Sequence, residues 1–175
     1  MGGRALAVTL LAWLIFINHK KIYMNVIGFL ITHNPEIKCA RDLEDLFLGA
    51  TVDQTDLEQV ILYVRQGIPT IKFMSDVCDT DGKSMGQLMY LTDGEWIWPG
   101  YYVYYLAKYP GIKVPKVFID YVNTKKSVPA LSREEMFYAG YMTHKLLTPG
   151  FPGNRKPLRK IQHLIEARGE AFICY

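Results

Sequence analysis

The stretch "QLMYLTDGEWIWPG" (87–100) constrains the fold more than any other part of the chain. Asp93-Gly94 separates two short runs rich in aromatic and apolar residues. Asp-Gly suits a two-residue type I′ turn, in which both central residues take positive φ. Such a turn fixes the strand register. It predicts Leu91 opposite Trp96 and Met89 opposite Trp98, all four on one side of the sheet. Tyr90 and Ile97 fall on the other side, because strand side chains alternate. Upstream, "IPTIKFM" (68–74) also has a period of two, with Ile71 and Phe73 on one side. The expectation is an α+β protein with a small antiparallel three-stranded meander, about 68–74, 87–92 and 95–98, packed by helices and followed by a helical C-terminal extension.

The helices follow from a period near 3.6. Residues 22–31 are an apolar run stopped by Asn34-Pro35, and they predict a helix. "RDLEDLFLGA" (41–50) suits a short one. In "TDLEQVILYVRQG" (55–67), Thr55 and Glu58 make a capping box. Leu57, Val60, Ile61 and Val64 form the apolar stripe, and Gly67 closes it. Pro99 ends the last strand. On a helix from Gly100, Tyr101, Tyr102, Tyr105, Leu106 and Tyr109 share one arc, and Tyr104, Ala107 and Lys108 lie opposite. Most of the aromatic residues between 91 and 110 are thus expected in the core, and Trp96 and Trp98 are expected to be structural. Pro115 opens a further helix, Ser132 with Glu135 caps another, and Pro157 opens a last one that stops at Gly169. The chain divides into an apolar N-terminal segment (1–21), an α+β core (22–125) and the helical extension (126–175).

"ALAVTLLAWLIFI" (5–17) follows Arg4 and precedes "NHKK". Three readings stand open: a helix against protein, a membrane anchor, or an upstream extension of a protein that starts at Met24. The three cysteines, Cys39, Cys78 and Cys174, are odd in number and widely spaced. That pattern argues against a disulfide scaffold and for a reducing, cytoplasmic setting.

Several chemistries lack their residues. "DTDGK" (79–83) places Asp79 and Asp81 at the third and fifth positions of a calcium loop, but Val77 and Leu88 stand at the first and last ligand positions. Turn formation explains the aspartates better. The phosphate-loop fragment Gly82-Lys83-Ser84 lacks its earlier glycine. The four histidines lie in separate segments. No catalytic residue, cofactor or metal is therefore expected.

Charge is segregated. Residues 36–58 carry seven acidic and two basic side chains, and residues 144–168 carry six basic and one acidic. Arg155, Lys156, Arg159 and Lys160 crowd the start of the last helix, where cations oppose the helix dipole. With Tyr104 outside the apolar arc, these five are the candidate binding residues.

The stretch 92–122 resembles a group of small bacterial proteins that share a T-D-G-x-W-x-W-P hairpin, a Tyr-rich helix and a Pro-led helix. The matching residues include Thr92, Asp93, Gly94, Trp96, Trp98, Pro99, Tyr105, Pro115 and Phe118. The resemblance implies the fold of residues 24–122 and carries no activity. By analogy with small α+β immunity proteins, it suggests a non-enzymatic module that binds another protein, immunity-like in blocking a toxin. The alternative is a nucleic-acid-associated protein that uses the basic C-terminal helix. Membrane contact would run through residues 5–17.

Overall fold

A computed structural model describes residues 23–48, 53–149 and 159–175. The apolar segment 5–17, with its three readings, lies outside the described residues.

The protein is α+β, and its described residues form one mixed sheet of five strands. The strands are β1 (Met24–Val26), β2 (Ile68–Cys78), β3 (Ser84–Thr92), β4 (Trp96–Pro99) and β5 (Phe172–Cys174), in spatial order β2-β3-β4-β1-β5. The expected meander is present as β2-β3-β4, paired antiparallel. The sheet then continues through two strands that run parallel to β4, namely β1 and β5. The expectation of a sheet limited to three strands is therefore corrected.

Two errors of reading hid those strands. Residues 22–31 were expected as a helix, yet Met24 and Val26 to Leu30 are all buried, with β1 at their start. A run apolar on every side suits an interior strand as well as a buried helix, and period alone does not separate them. The C-terminal extension was expected as helix only. Instead Gly169, at φ +77°, ends the last helix and turns the chain back to form β5 beside β1. The described residues of the C-terminal extension thus share the sheet and core of the preceding elements.

The hairpin turn also differs from its prediction. Leu91 pairs with Trp98 and Thr92 with Ile97, a register two residues from the expected one. Gly94 alone has positive φ, at +93°, so the turn is not type I′. Asp93 organises a longer connection instead. Its Oδ1 accepts from the backbone N–H of Glu95 (2.9 Å) and Trp96 (2.8 Å), and the Thr92 hydroxyl donates to the Trp96 carbonyl (2.6 Å). A shift of two preserves the pleat. Leu91, Trp96 and Trp98 do share one core, and Tyr90 and Ile97 the other.

Helices cover both faces. On the tryptophan face lie α1 (Gln54–Val64), α2 (Tyr101–Lys108) and α3 (Lys116–Lys125). Asp53 caps α1, accepting from the Thr55 N–H at 2.8 Å, so the expected Thr55–Glu58 box begins two residues too late. Gly67 follows α1 without positive φ. Its missing side chain is needed for space, since a Cβ there would stand 2.5 Å from Trp98 Cζ2. The arc expected on α2 is buried at Tyr101, Tyr102, Tyr105 and Leu106. Two of its hydroxyls reach the 30–34 turn: Tyr101 Oη donates to Asn34 Oδ1 (2.7 Å), and Tyr105 Oη meets His33 Nε2 (3.0 Å). On the opposite face, α4 (Arg133–Leu147) packs Tyr138, Met142 and Leu146 with Met24, Val26, Tyr90 and Ile97, and α5 (Gln162–Arg168) adds Leu164 and Ile165. The Ser132–Glu135 capping box of α4 is formed. Short 3₁₀ turns occupy Glu44–Phe47 and Arg159–Ile161.

Cys39 and Cys174 form a disulfide with Cα atoms 5.5 Å apart, and Cys78 is exposed and free. This runs against the expectation drawn from the cysteine number and spacing. Sequence spacing could not show it, because the pair forms only after β5 docks beside β1. The bond also removes the argument from cysteine count for a reducing compartment. Among the described residues, no helix is long and apolar enough to cross a membrane.

Candidate functional site

The expected binding residues do not assemble. Tyr104 stands outside the buried arc of α2, as the helical pattern predicts, but its hydroxyl is engaged. It donates to Asp79 Oδ2 at 2.6 Å, and Lys108 Nζ reaches the same oxygen at 2.7 Å. Asp79 Oδ1 accepts from the backbone N–H of Asp81 (2.9 Å) and Lys83 (2.8 Å). The "DTDGK" stretch is thus a turn, with Gly82 at φ +78°, as turn chemistry predicts. The Lys108 ammonium, the Tyr104 hydroxyl and the two backbone donors hold the Asp79 carboxyl well below the usual carboxylate range. The cluster ties the end of the β2–β3 hairpin to α2.

Arg159 is exposed, in the turn before α5 and on the face opposite Tyr104. Lys160 belongs to the same turn. Arg155 and Lys156 lie outside the described residues. The structure therefore does not bring Tyr104 and Arg159 into one site.

Two other surfaces stand out. The first is the outer half of β2. This eleven-residue strand is the edge of the sheet, whereas the opposite edge, β5, has three residues. The inner half of β2 is covered by α4, through the Thr143–Thr70 hydroxyl contact (3.0 Å). Beyond it the strand runs in the open, with Met74 98% exposed and Phe73 42% exposed. Val77, Met85 and Met89 of the same hairpin pack toward the tryptophan core. The Asp79 anchor holds one side of the hairpin down and leaves the other side out. Alternation in 68–74 flagged Phe73 as apolar. It could not show that its side of the strand lacks a covering helix.

The second surface is a cleft of about 460 Å³ at the carboxyl ends of the parallel strands β1 and β5. Gly28 and Tyr102 lie side by side in its wall. At φ +77°, Gly28 lets the Tyr102 ring cross the backbone, and a Cβ there would stand 2.3 Å from Tyr102 Cγ. Arg41 and Asp45 border it from the segment after β1. Asp53 and Asp56 come from the start of α1, and Lys113 and Lys116 flank the start of α3. Sequence reasoning missed all of these. They come from five separate segments, and the glycine inside the apolar run 26–30 was the one local signal. Among the described residues, no three or more His, Cys, Asp or Glu side chains group as a metal site. With these surfaces in view, the chain matches no protein-family model, no curated protein and no solved structure.

Proposed function

We propose that the protein is a non-enzymatic module that binds another protein through the outer half of the β2–β3 hairpin. The observation that carries this reading is the pairing of a long edge strand with fully exposed Met74 and partly exposed Phe73. Monomeric proteins usually blunt such edges, because unpaired N–H and C=O groups recruit a further strand. An extended segment of a partner would add to β2 by main-chain hydrogen bonds. Its side chains would meet Phe73 and Met74. The Asp79–Lys108–Tyr104 tie supports the reading from the other side. It fixes the hairpin against α2, so little ordering entropy is lost on binding. The immunity-like role fits the same surface, with a toxin domain as partner.

The test compares affinity capture by the parent with capture by Met74→Asp and Phe73→Asp. The expected partner is retained by the parent and lost, by about tenfold or more in affinity, in both variants. Amide exchange should show new protection in residues 73–77 of the complex. Binding that ignores both substitutions and falls steeply with salt would favour the nucleic-acid alternative instead.

A further inference from the structure

The β5 strand sits on the sheet with little burial, and a disulfide closes over it. None of the residues from Ala171 to Tyr175 is fully buried. Phe172 and Tyr175 are half-buried, and Ala171, Ile173 and Cys174 are exposed. Beside them Met24 and Val26 of β1 are buried. The two strands are joined by a short parallel ladder. It includes Met24 N–H donating to the Ala171 carbonyl (3.1 Å) and Tyr175 N–H donating to the Val26 carbonyl (2.9 Å). The Tyr175 ring centre lies 5.0 Å from that of Trp96. The covalent hold is Cys174 bonded to Cys39, in the turns that follow β1.

The residues just before β5 are tied elsewhere. Tyr138 Oη donates to the Gly169 carbonyl (2.9 Å), and Lys145 Nζ pairs with Glu170 Oε2 (2.9 Å). Arg168 donates to the Gly94 carbonyl (3.3 Å) and to Glu135 Oε1 (3.2 Å). These ties run to α4 and to the β3–β4 turn, so residues 168–170 form a root that does not depend on β1. No buried core residue among those described lies beyond Ile161. Residues 171–175 can therefore leave the sheet without emptying either core. The bond that fastens them is within reach of solvent, since Cys174 is exposed and Cys39 half-buried. Thiol exchange requires a thiolate to reach a sulfur, and exposed disulfides are the labile ones.

We propose that the Cys39–Cys174 bond is a redox latch on β5, opened by a dithiol reductant. One thiolate of the reductant attacks Cys174 Sγ, and Cys39 leaves as a thiolate and takes up a proton. The second thiol of the reductant then displaces Cys174 from the mixed disulfide. Two electrons pass from the dithiol to the protein, giving two cysteine thiols and the cyclic, oxidised reductant. Residues 171–175 then swing out from the root at 168–170. The β1 strand becomes a sheet edge, and Trp96 loses the Tyr175 ring. The oxidised form keeps that edge paired.

The test is amide hydrogen exchange of the full chain with and without millimolar dithiothreitol, with alkylation and mass spectrometry counting the thiols. The β1 strand carries its own control. Its Met24 N–H points to β5, whereas Asn25 N–H donates to the Glu95 carbonyl (2.9 Å) and, just beyond the strand, Ile27 N–H donates to the Ile97 carbonyl (3.1 Å). Native reduction is expected to free Cys39 and Cys174 and to speed exchange at Met24 and Tyr175 by about tenfold or more. Asn25 and Ile27 should keep their oxidised rates. Cys39→Ser combined with Cys174→Ser should show the open pattern without reductant. Should that variant fail to fold, the reduced parent carries the test. Resistance of the bond to dithiothreitol short of unfolding overturns the proposal. So does unchanged exchange at Met24 and Tyr175 after reduction. Equal acceleration of all four amides overturns it too, because the bond would then staple the whole fold.

Discussion

Asp93 supports the turn from which the meander grows, and replacing it separates two effects that oppose one another. The side chain is 1% exposed. Its Oδ1 accepts from the N–H groups of Glu95 and Trp96, and its Oδ2 accepts from the Tyr63 hydroxyl at 2.7 Å. Asp93→Ala leaves at least two buried donors, Trp96 N–H and Tyr63 O–H, without an acceptor. At about 1–3 kcal/mol for each orphaned group, the loss is about 2–6 kcal/mol. That is a large share of the stability of an ordinary domain. Asp93→Asn keeps the Oδ1 acceptor and lets the Tyr63 hydroxyl accept instead of donate. Its expected cost is about 1 kcal/mol or less.

The pH dependence supplies the second half of the test. Burial raises the Asp93 carboxyl above its ordinary value, against the hydrogen bonds that lower it. A carboxyl raised in the folded state favours folding below its unfolded pKa, about 3.9, and loses that contribution as pH rises through the folded value. Asparagine does not titrate. The stability of Asp93→Asn minus that of the parent should therefore climb as pH rises from about 4, then level off. Urea unfolding followed by tryptophan fluorescence from pH 4 to 8 measures it. A flat difference across that range, or Asp93→Ala within about 1 kcal/mol of the parent, refutes the reasoning.

Four further outcomes can be checked by similar means. Gly67→Ala forces a methyl against Trp98 and Leu91 and should cost about 1–3 kcal/mol, whereas Gly140→Ala, inside α4 with open space around it, should gain about 0.5–1 kcal/mol in thermal or urea unfolding. Trp98→Ala empties a fully buried site whose indole N–H donates to the Val64 carbonyl (3.1 Å), and it should cost about 3–5 kcal/mol in urea unfolding. Thiol titration of the denatured, unreduced protein should find Cys78 alone, and Cys39→Ser with Cys174→Ser should lower stability by about 2–4 kcal/mol. The Asp79 carboxyl is lowered in the folded state, so its contribution is present above about pH 4 and fades as pH falls toward the folded value. Asp79→Asn should flatten the acid limb of the parent's stability curve.

The elements legible in the sequence were those whose signal is local. The arc of α2 could be read residue by residue, because a helix needs one apolar stripe and Tyr101, Tyr102, Tyr105 and Leu106 supply it. Ser132 and Glu135 lie three residues apart and make their own cap. The two faces of the hairpin were legible even though its turn was not. Asp93 accepts two backbone N–H groups and lengthens the loop, but the slip of two residues returns every side chain to its expected face.

What stayed hidden depends on neighbours distant in sequence. Residues 24–30 read as helix because their partners, β4 and β5, are supplied by residues about 70 and 150 positions later. The same docking makes the candidate cleft. It closes β5 beside β1, which brings Tyr175 to the cleft lining. It also places Gly28 where α2 can lay Tyr102 across the backbone. A single disulfide fastens that last strand. The charge pattern pointed at the basic run 155–160 because runs are visible in one dimension. The cleft draws Arg41 and Asp45, Asp53, and Lys113 from three stretches of chain, and of these only the aspartates lie in a charge-rich stretch of their own sign. Local patterning therefore located the scaffold, and the candidate cleft arises where β5 docks beside β1.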